Sequence, residues 1–181
     1  LPRQSDGRWD LAAATYHPLL VMAEHGEQRS WLRLQRLLSR YDGWPILHYG
    51  ETETLSLRRL AQRQGASDAQ LRRLKRRLVD VHARIRSHWR LPLSSYGLKS
   101  VAAWRGFRWS QSGVDGARAL LWWRQWLGEG PKRRGSRHGL AWIFRYNQDD
   151  CRATWAVAEW LLKEDDRLKT GSDTDQPTAG P

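Results

Sequence analysis

Asp42-Gly-Trp-Pro-Ile-Leu-His-Tyr-Gly-Glu-Thr-Glu53 is the stretch on which the fold turns. Its apolar centre, residues 44–49, is too short for a buried helix and is bounded by Asp42-Gly43 and Gly50, as a buried strand would be. Pro45 sits near the start, where a missing N–H does least harm. Helical spacing flanks the run on both sides. Trp31, Leu34, Leu37 and Leu38 recur upstream after Glu27, and Leu57, Leu60 and Ala61 downstream after Thr52-Glu53. Residues 78–81 offer a second short strand.

Further along, Ser94 or Ser95 can cap a helix carrying Leu98, Val101 and Ala102 that ends at Gly106. Another helix is predicted over 115–127. A last one begins at Asp150, with Ala153, Val157, Ala158, Leu161 and Leu162 on one face. Helices alternating with short strands make this an α/β protein.

The 181 residues leave room for one domain with its own core. No apolar run approaches the roughly 20 residues that a membrane span requires. Cys151 is the single cysteine, and the N-terminus lacks a leader pattern, so a cytoplasmic protein is expected. Lys and Arg number 31 against 19 Asp and Glu, for a net charge of +12. An excess of that size favours a polyanionic partner, DNA or RNA. Residues 163–181 hold three bases and five acids and almost no large apolar groups, so a disordered acidic tail over 169–181 is expected after a domain over 1–168.

Residues 58–90 contain eleven Lys and Arg against only Asp68 and Asp80. Arg72, Arg73, Arg76 and Arg77 form their densest run. A solvated helix face is the plain explanation, but few acidic neighbours relieve the repulsion and a phosphate backbone would. Lys132, Arg133 and Arg134 form a second basic cluster. Most of the twelve tryptophans are expected to pack in or near the core. Trp104, Trp109 and Trp142, beside Arg105, Arg108 and Arg145, are the expected exceptions.

Three carboxylates stand out. Tyr146 precedes Asp150 by one helical turn, so the two share a face where a carboxylate could hold a cation and a phenol could orient water. A helix N-cap at Asp149 or Asp150 is the competing reading. Glu53 lies at a strand-to-helix junction, which also favours an acid through the helix dipole. Asp80 lies within an apolar stretch, where an unpaired carboxylate is expensive, so it reaches a sheet end or binds a cation or partner.

Taken in order, HYGETE at 48–53, VDVHARIR at 79–86, SYGLKSVA at 95–102, GFRW at 106–109 and YNQDDCRATWAV at 146–157 resemble the RNase H-like domain of predicted RecB-family nucleases, within the DEDD exonuclease superfamily. The resemblance covers about residues 15–162. It implies a mixed sheet flanked by helices and phosphodiester hydrolysis of the exonuclease type with Mg²⁺ or Mn²⁺. It implies catalytic roles for Glu53, Asp150, Tyr146 and Asp80, with Glu53 and Asp150 as metal ligands. Lys99 would neutralise a phosphate, His48 would belong to the sheet end, and a RecB-like nuclease or helicase polypeptide would be a partner in DNA repair.

The resemblance lacks the family's first motif, an Asp-x-Glu pair on the first strand, since Asp10-Leu-Ala12 has no Glu. A chain that starts after that strand is therefore expected, with Gly7–Tyr16 a later strand and the fragment inactive on its own. A noncatalytic module that keeps the fold and holds nucleic acid is the alternative, and a basic interaction domain without nucleic acid a third.

Overall fold

The computed structural model describes residue 5 and residues 9–21, 24–129 and 136–171. Within it, the run 44–49 supplies strand β1 (Ile46–His48), and the second apolar stretch supplies β2 (Leu78–Asp80). The two are parallel, with Ile46 opposite Leu78, Leu47 opposite Val79 and His48 opposite Asp80. Parallel strands require a crossover. Here it consists of α2 (Glu51–Arg63) and α3 (Asp68–Arg77), preceded by α1 (Glu24–Arg40). After β2 come α4 (Val81–His88), α5 (Leu98–Trp104), α6 (Gly116–Glu129) and α7 (Ser136–Gly171). The protein is α/β, and among the described residues its sheet is this parallel pair alone.

Helix boundaries follow local chemistry. Ser67 begins α3 with a capping box, accepting from Gln70 N while the Gln70 side chain accepts from Ser67 N. Asp80 caps α4 by accepting from Ala83 N at 3.1 Å. The end of α5 is closed by Gly106 at φ 86°. There Gly106 N donates to Ala103 O and Phe107 N to Ala102 O, satisfying carbonyls that the helix leaves open.

The core lies where α4, α5 and α7 meet. Val81 and Ile85 of α4, Val101 and Ala102 of α5, and Ala153, Val157, Ala158, Trp160 and Leu161 of α7 are buried together. Alanines at 102 and 153 let the backbones of α5 and α7 approach closely, while Val157 and Ile85 fill the remaining space. On the α7 side of the sheet, Leu47 and Val79 border an apolar groove of about 980 Å³, lined also by Leu37, Leu38, Trp155 and Leu161. Among the described residues no further strand covers that face. No described helix is long and apolar enough to cross a membrane.

Several expectations change. The last helix starts at Ser136, fourteen residues before Asp150, because residues 136–149 continue its hydrogen-bonded turns. Neither Asp149 nor Asp150 is therefore a helix cap. Leu162, expected on the buried face, is exposed. The N-cap of α5 is Gly97, with no side-chain cap; Ser95 Oγ instead accepts from Gly97 N at 3.2 Å, holding the entry turn. Gly7–Tyr16 is no strand among the described residues: Trp9 makes a single bridge, and Asp10 Oδ1 accepts from Ala12 N and Ala13 N in a turn. Helix α7 carries the chain past Leu168 to Gly171, and residues 172–181 of the expected tail lie outside the described residues.

Candidate functional site

Both strands end on polar residues. His48 and Asp80 pair across the last rung of the sheet. Beyond His48 the chain must turn sharply into α2, which Gly50 permits at φ 95°, a conformation costly for any residue with a Cβ. Asp80 Oδ1 accepts from Gly50 N at 3.0 Å as well as from Ala83 N, so this one oxygen joins the β1–α2 turn to the start of α4. His48 is buried, with Nδ1 2.8 Å from Gly50 O and Nε2 3.2 Å from Thr54 Oγ1. Nδ1 then donates to the carbonyl and Nε2 accepts from the hydroxyl, which locks the ring at the sheet end. Glu53 lies in the exposed first turn of α2.

Helix α7 brings Tyr146, Asp149 and Asp150 beside the segment that follows α5. Asp149 is buried and turned inward, and its Oδ2 accepts from Ser110 N at 2.8 Å and from Ser110 Oγ at 2.7 Å. Asp150 Oδ1 accepts from the indole Nε1 of Trp109 at 2.8 Å. Consecutive acids thus grip consecutive residues of the facing segment. Tyr146, one turn back on the same helix, lies close enough to the Asp150 carboxyl for the two groups to perturb each other. Lys99 of α5 donates to Val114 O, with its Nζ 5.1 Å from the centroid of the Tyr146 ring and 5.7 Å from that of Trp109.

Burial is the main force on these groups. It pushes the Asp150 carboxyl above the usual carboxylate range against the opposing pull of Trp109, Tyr146 and Lys99, and the Asp149 charge adds to the rise. Tyr146 is pushed up to about 12, first by burial and then by the charge of Asp150. Cys151 is exposed at the surface, and its thiol is raised first by loss of solvent around it and then by the charges of Asp150 and Glu53. Tyr16 joins from the N-terminal segment, its hydroxyl donating to Asn147 Oδ1 at 3.0 Å.

Asp150→Asn tests this electrostatic picture. A carboxyl whose folded-state value is raised contributes stability that is complete below its unfolded value and is lost as pH rises through its folded value. Asn removes the charge and keeps an acceptor for Trp109. The variant is expected to melt above the parent at pH 7, with the gap closing towards about pH 3, below the ordinary Asp range. A lower Tm for the variant at pH 7 would show that the charged form is stabilised overall.

The basic residues divide. Arg72 and Arg76 are exposed on α3. Arg73 is paired with Asp42. Arg77 is turned back onto the C-terminus of α1, where it donates to Leu38 O at 3.2 Å, Tyr41 O at 2.8 Å and Trp44 O at 2.9 Å. Lys132, Arg133 and Arg134 lie outside the described residues. Of the three tryptophans set apart in the sequence, Trp104 and Trp142 are exposed and Trp109 is half-buried at the site.

The family model described as RNase_H superfamily matches residues 10–162. The chain belongs to the RNase H superfamily. Domains of this superfamily are generally of nuclease type and act on nucleic acid, and they usually use divalent metals. No curated protein and no solved structure matches the chain.

Whether a metal centre fits this RNase H superfamily domain turns on the donors its side chains offer. A magnesium ion wants about six oxygen ligands in near-octahedral order, and paired catalytic ions share several carboxylates. Among the described residues no three His, Cys, Asp or Glu side chains form a group that could hold a cation. One oxygen of Asp80 is taken by two backbone N–H groups, one oxygen of Asp150 by Trp109, and Asp149 by Ser110. These residues, as arranged, do not fit a two-cation centre.

Sequence reasoning did not assign Trp109, Ser110, Tyr16 or Asn147 to the site. Trp109 lies in the quoted GFRW segment, but the indole-to-carboxylate bond spans 41 positions and has no local signal. Tyr16 to Asn147 spans 131.

Proposed function

We propose that this domain is the nucleic-acid-holding part of an exonuclease-type system, and that the 181-residue chain binds a phosphodiester backbone without cutting it. The observation that carries this reading is the state of Asp150, the acid that the resemblance makes a metal ligand. Its carboxyl is half-buried, raised, and already engaged by the indole of Trp109. In this arrangement Tyr146 and Lys99 supply a hydroxyl and a fixed positive charge beside the acid, and Arg72 and Arg76 add exposed charge on α3. A RecB-like nuclease or helicase polypeptide would supply the cutting partner.

A cutting role for the chain itself, with Glu53 and Asp150 holding Mg²⁺ or Mn²⁺, Tyr146 orienting water and Asp80 in support, is the competing reading. The placement of Tyr146 and Asp150 one turn apart on α7 is what it draws on. The two separate in one experiment, with a labelled single-stranded oligonucleotide incubated with the purified chain and Mg²⁺ or Mn²⁺. Binding by fluorescence anisotropy with no shortening on a gel is expected. Metal-dependent shortening that disappears in Asp150→Asn would establish the competing reading, and shortening that persists in that variant would place the chemistry on other residues.

A further inference from the structure

A second aromatic and basic surface lies along α7 from the acids. Trp104, the last residue of α5, is 40% exposed, although it packs edge-on against the buried Trp160 with ring centroids 5.5 Å apart. The Arg105 guanidinium lies over both rings, 5.3 Å from the Trp104 centroid and 5.1 Å from that of Trp160. Trp89 closes the cluster from the end of α4, 5.3 Å from Trp160. The turn closed by Gly106 ends α5 at this point and presents the Trp104–Arg105 pair outward.

The exposed charge beside this pair is mainly basic. Arg86, Arg90, Arg105 and Arg108 are exposed, and among the described residues no carboxylate pairs with them. Two acids of α7 near Trp160 are engaged elsewhere, Glu159 by Lys163 and Asp165 by Arg84. Two of the arginines are held in place by backbone carbonyls: Arg90 donates to Arg86 O, and Arg108 to Ala103 O. An exposed indole that already carries one guanidinium, ringed by unpaired arginines, complements a ligand with flat aromatic faces on a polyanionic backbone. Single-stranded nucleic acid has both features, because its bases are free to leave their own stack. A duplex offers the charge but keeps its bases covered.

We propose that Trp104 and Arg105 form a stacking platform for a base of single-stranded nucleic acid, with its phosphates running across Arg86, Arg90 and Arg108. Helix α5 connects this platform to the site, since Lys99 near its start lies beside Tyr146 and Trp104 at its end lies beside Trp160. A strand seated on the platform would be led along α5 towards Asp150. The inference rests on the nucleic-acid-holding role and narrows it to single strands.

The test compares a labelled oligothymidylate with a blunt duplex of equal length, at low salt, on the full chain. Trp104→Ala should weaken single-strand binding about tenfold and duplex binding less than twofold, and Trp104→Phe should recover most of the loss. Arg105→Gln, which leaves the indole in place, should weaken the single strand by a smaller factor in the same direction. Equal losses on both ligands, or no loss with either variant, would overturn the platform while leaving nucleic-acid binding standing. Failure of the parent chain to bind either ligand would overturn the holding role and the platform together. If Trp104→Ala instead converts a dimer to a monomer on size-exclusion chromatography with binding intact, the patch joins copies of this chain and the proposal fails.

Discussion

Raising salt from about 50 to about 200 mM is expected to weaken binding of a single-stranded oligonucleotide about 50-fold, if the chain neutralises about four phosphates. The expectation follows from a net charge of +12 and from the ion pairs of the described residues, which engage only Arg63, Arg73 and Arg84 of their arginines. Arg72 and Arg76 are two of the exposed charges, and replacing both with Gln should lower affinity across sequences and make the log–log salt slope shallower by about 1.4. Titrations at four or five salt concentrations measure both quantities. A flat slope would remove the phosphate backbone as the partner, and an unchanged slope in the double variant would make that part of α3 a solvated face.

Arg77 belongs to the same basic run and is expected to behave in the opposite way. Its guanidinium bonds three carbonyls at and beyond the end of α1, fastening that helix to the end of α3. Arg77→Met keeps the aliphatic stem and removes every donor. It is expected to cost about 3 kcal/mol, a fall in Tm of about 9 °C for a chain of this size. Lys should rescue little, because a single ammonium cannot reproduce the planar fork. Thermal melts of Arg77→Met beside Arg72→Gln and Arg76→Gln give the comparison: a large drop for the first and almost none for the others. An equal, small change in all three would mean that the carbonyls lose nothing when the clamp is gone.

That contrast also shows where reading a sequence stops. The four arginines at 72, 73, 76 and 77 look alike in a string, and only the position of α1 separates a clamp from a free charge. Local signals did well where local physics decides. The strand at 46–48 sits between a Gly turn and a Gly cap, the second strand at 78–80 is three residues of one apolar stretch, and the buried stripe Ala153, Val157, Ala158 and Leu161 keeps helical spacing. The start of α7 left no clear signal because its apolar and polar residues do not keep to separate faces: Ala141 and Trp142 are exposed while Asp149 is buried. The pairing of Tyr146 with Asp150 was legible because both lie on one helix. The grip of Trp109 on Asp150 was not, because it is a tertiary contact, and it is the contact that bears most directly on whether the acid is free to take a ligand.

Helix α7 runs for 36 residues. Asp150 and Trp160 are ten positions apart on it, which at 1.5 Å per residue sets them about 15 Å apart along a single rod. Nothing between them can bend independently, since Ala153, Val157 and Ala158 are packed into the core over that interval. The helix therefore works as a ruler, with the carboxyl as one mark and the tryptophan cluster as the other. Oligonucleotides too short to reach both marks should bind at one or the other, and affinity should step upward at the length that first spans them.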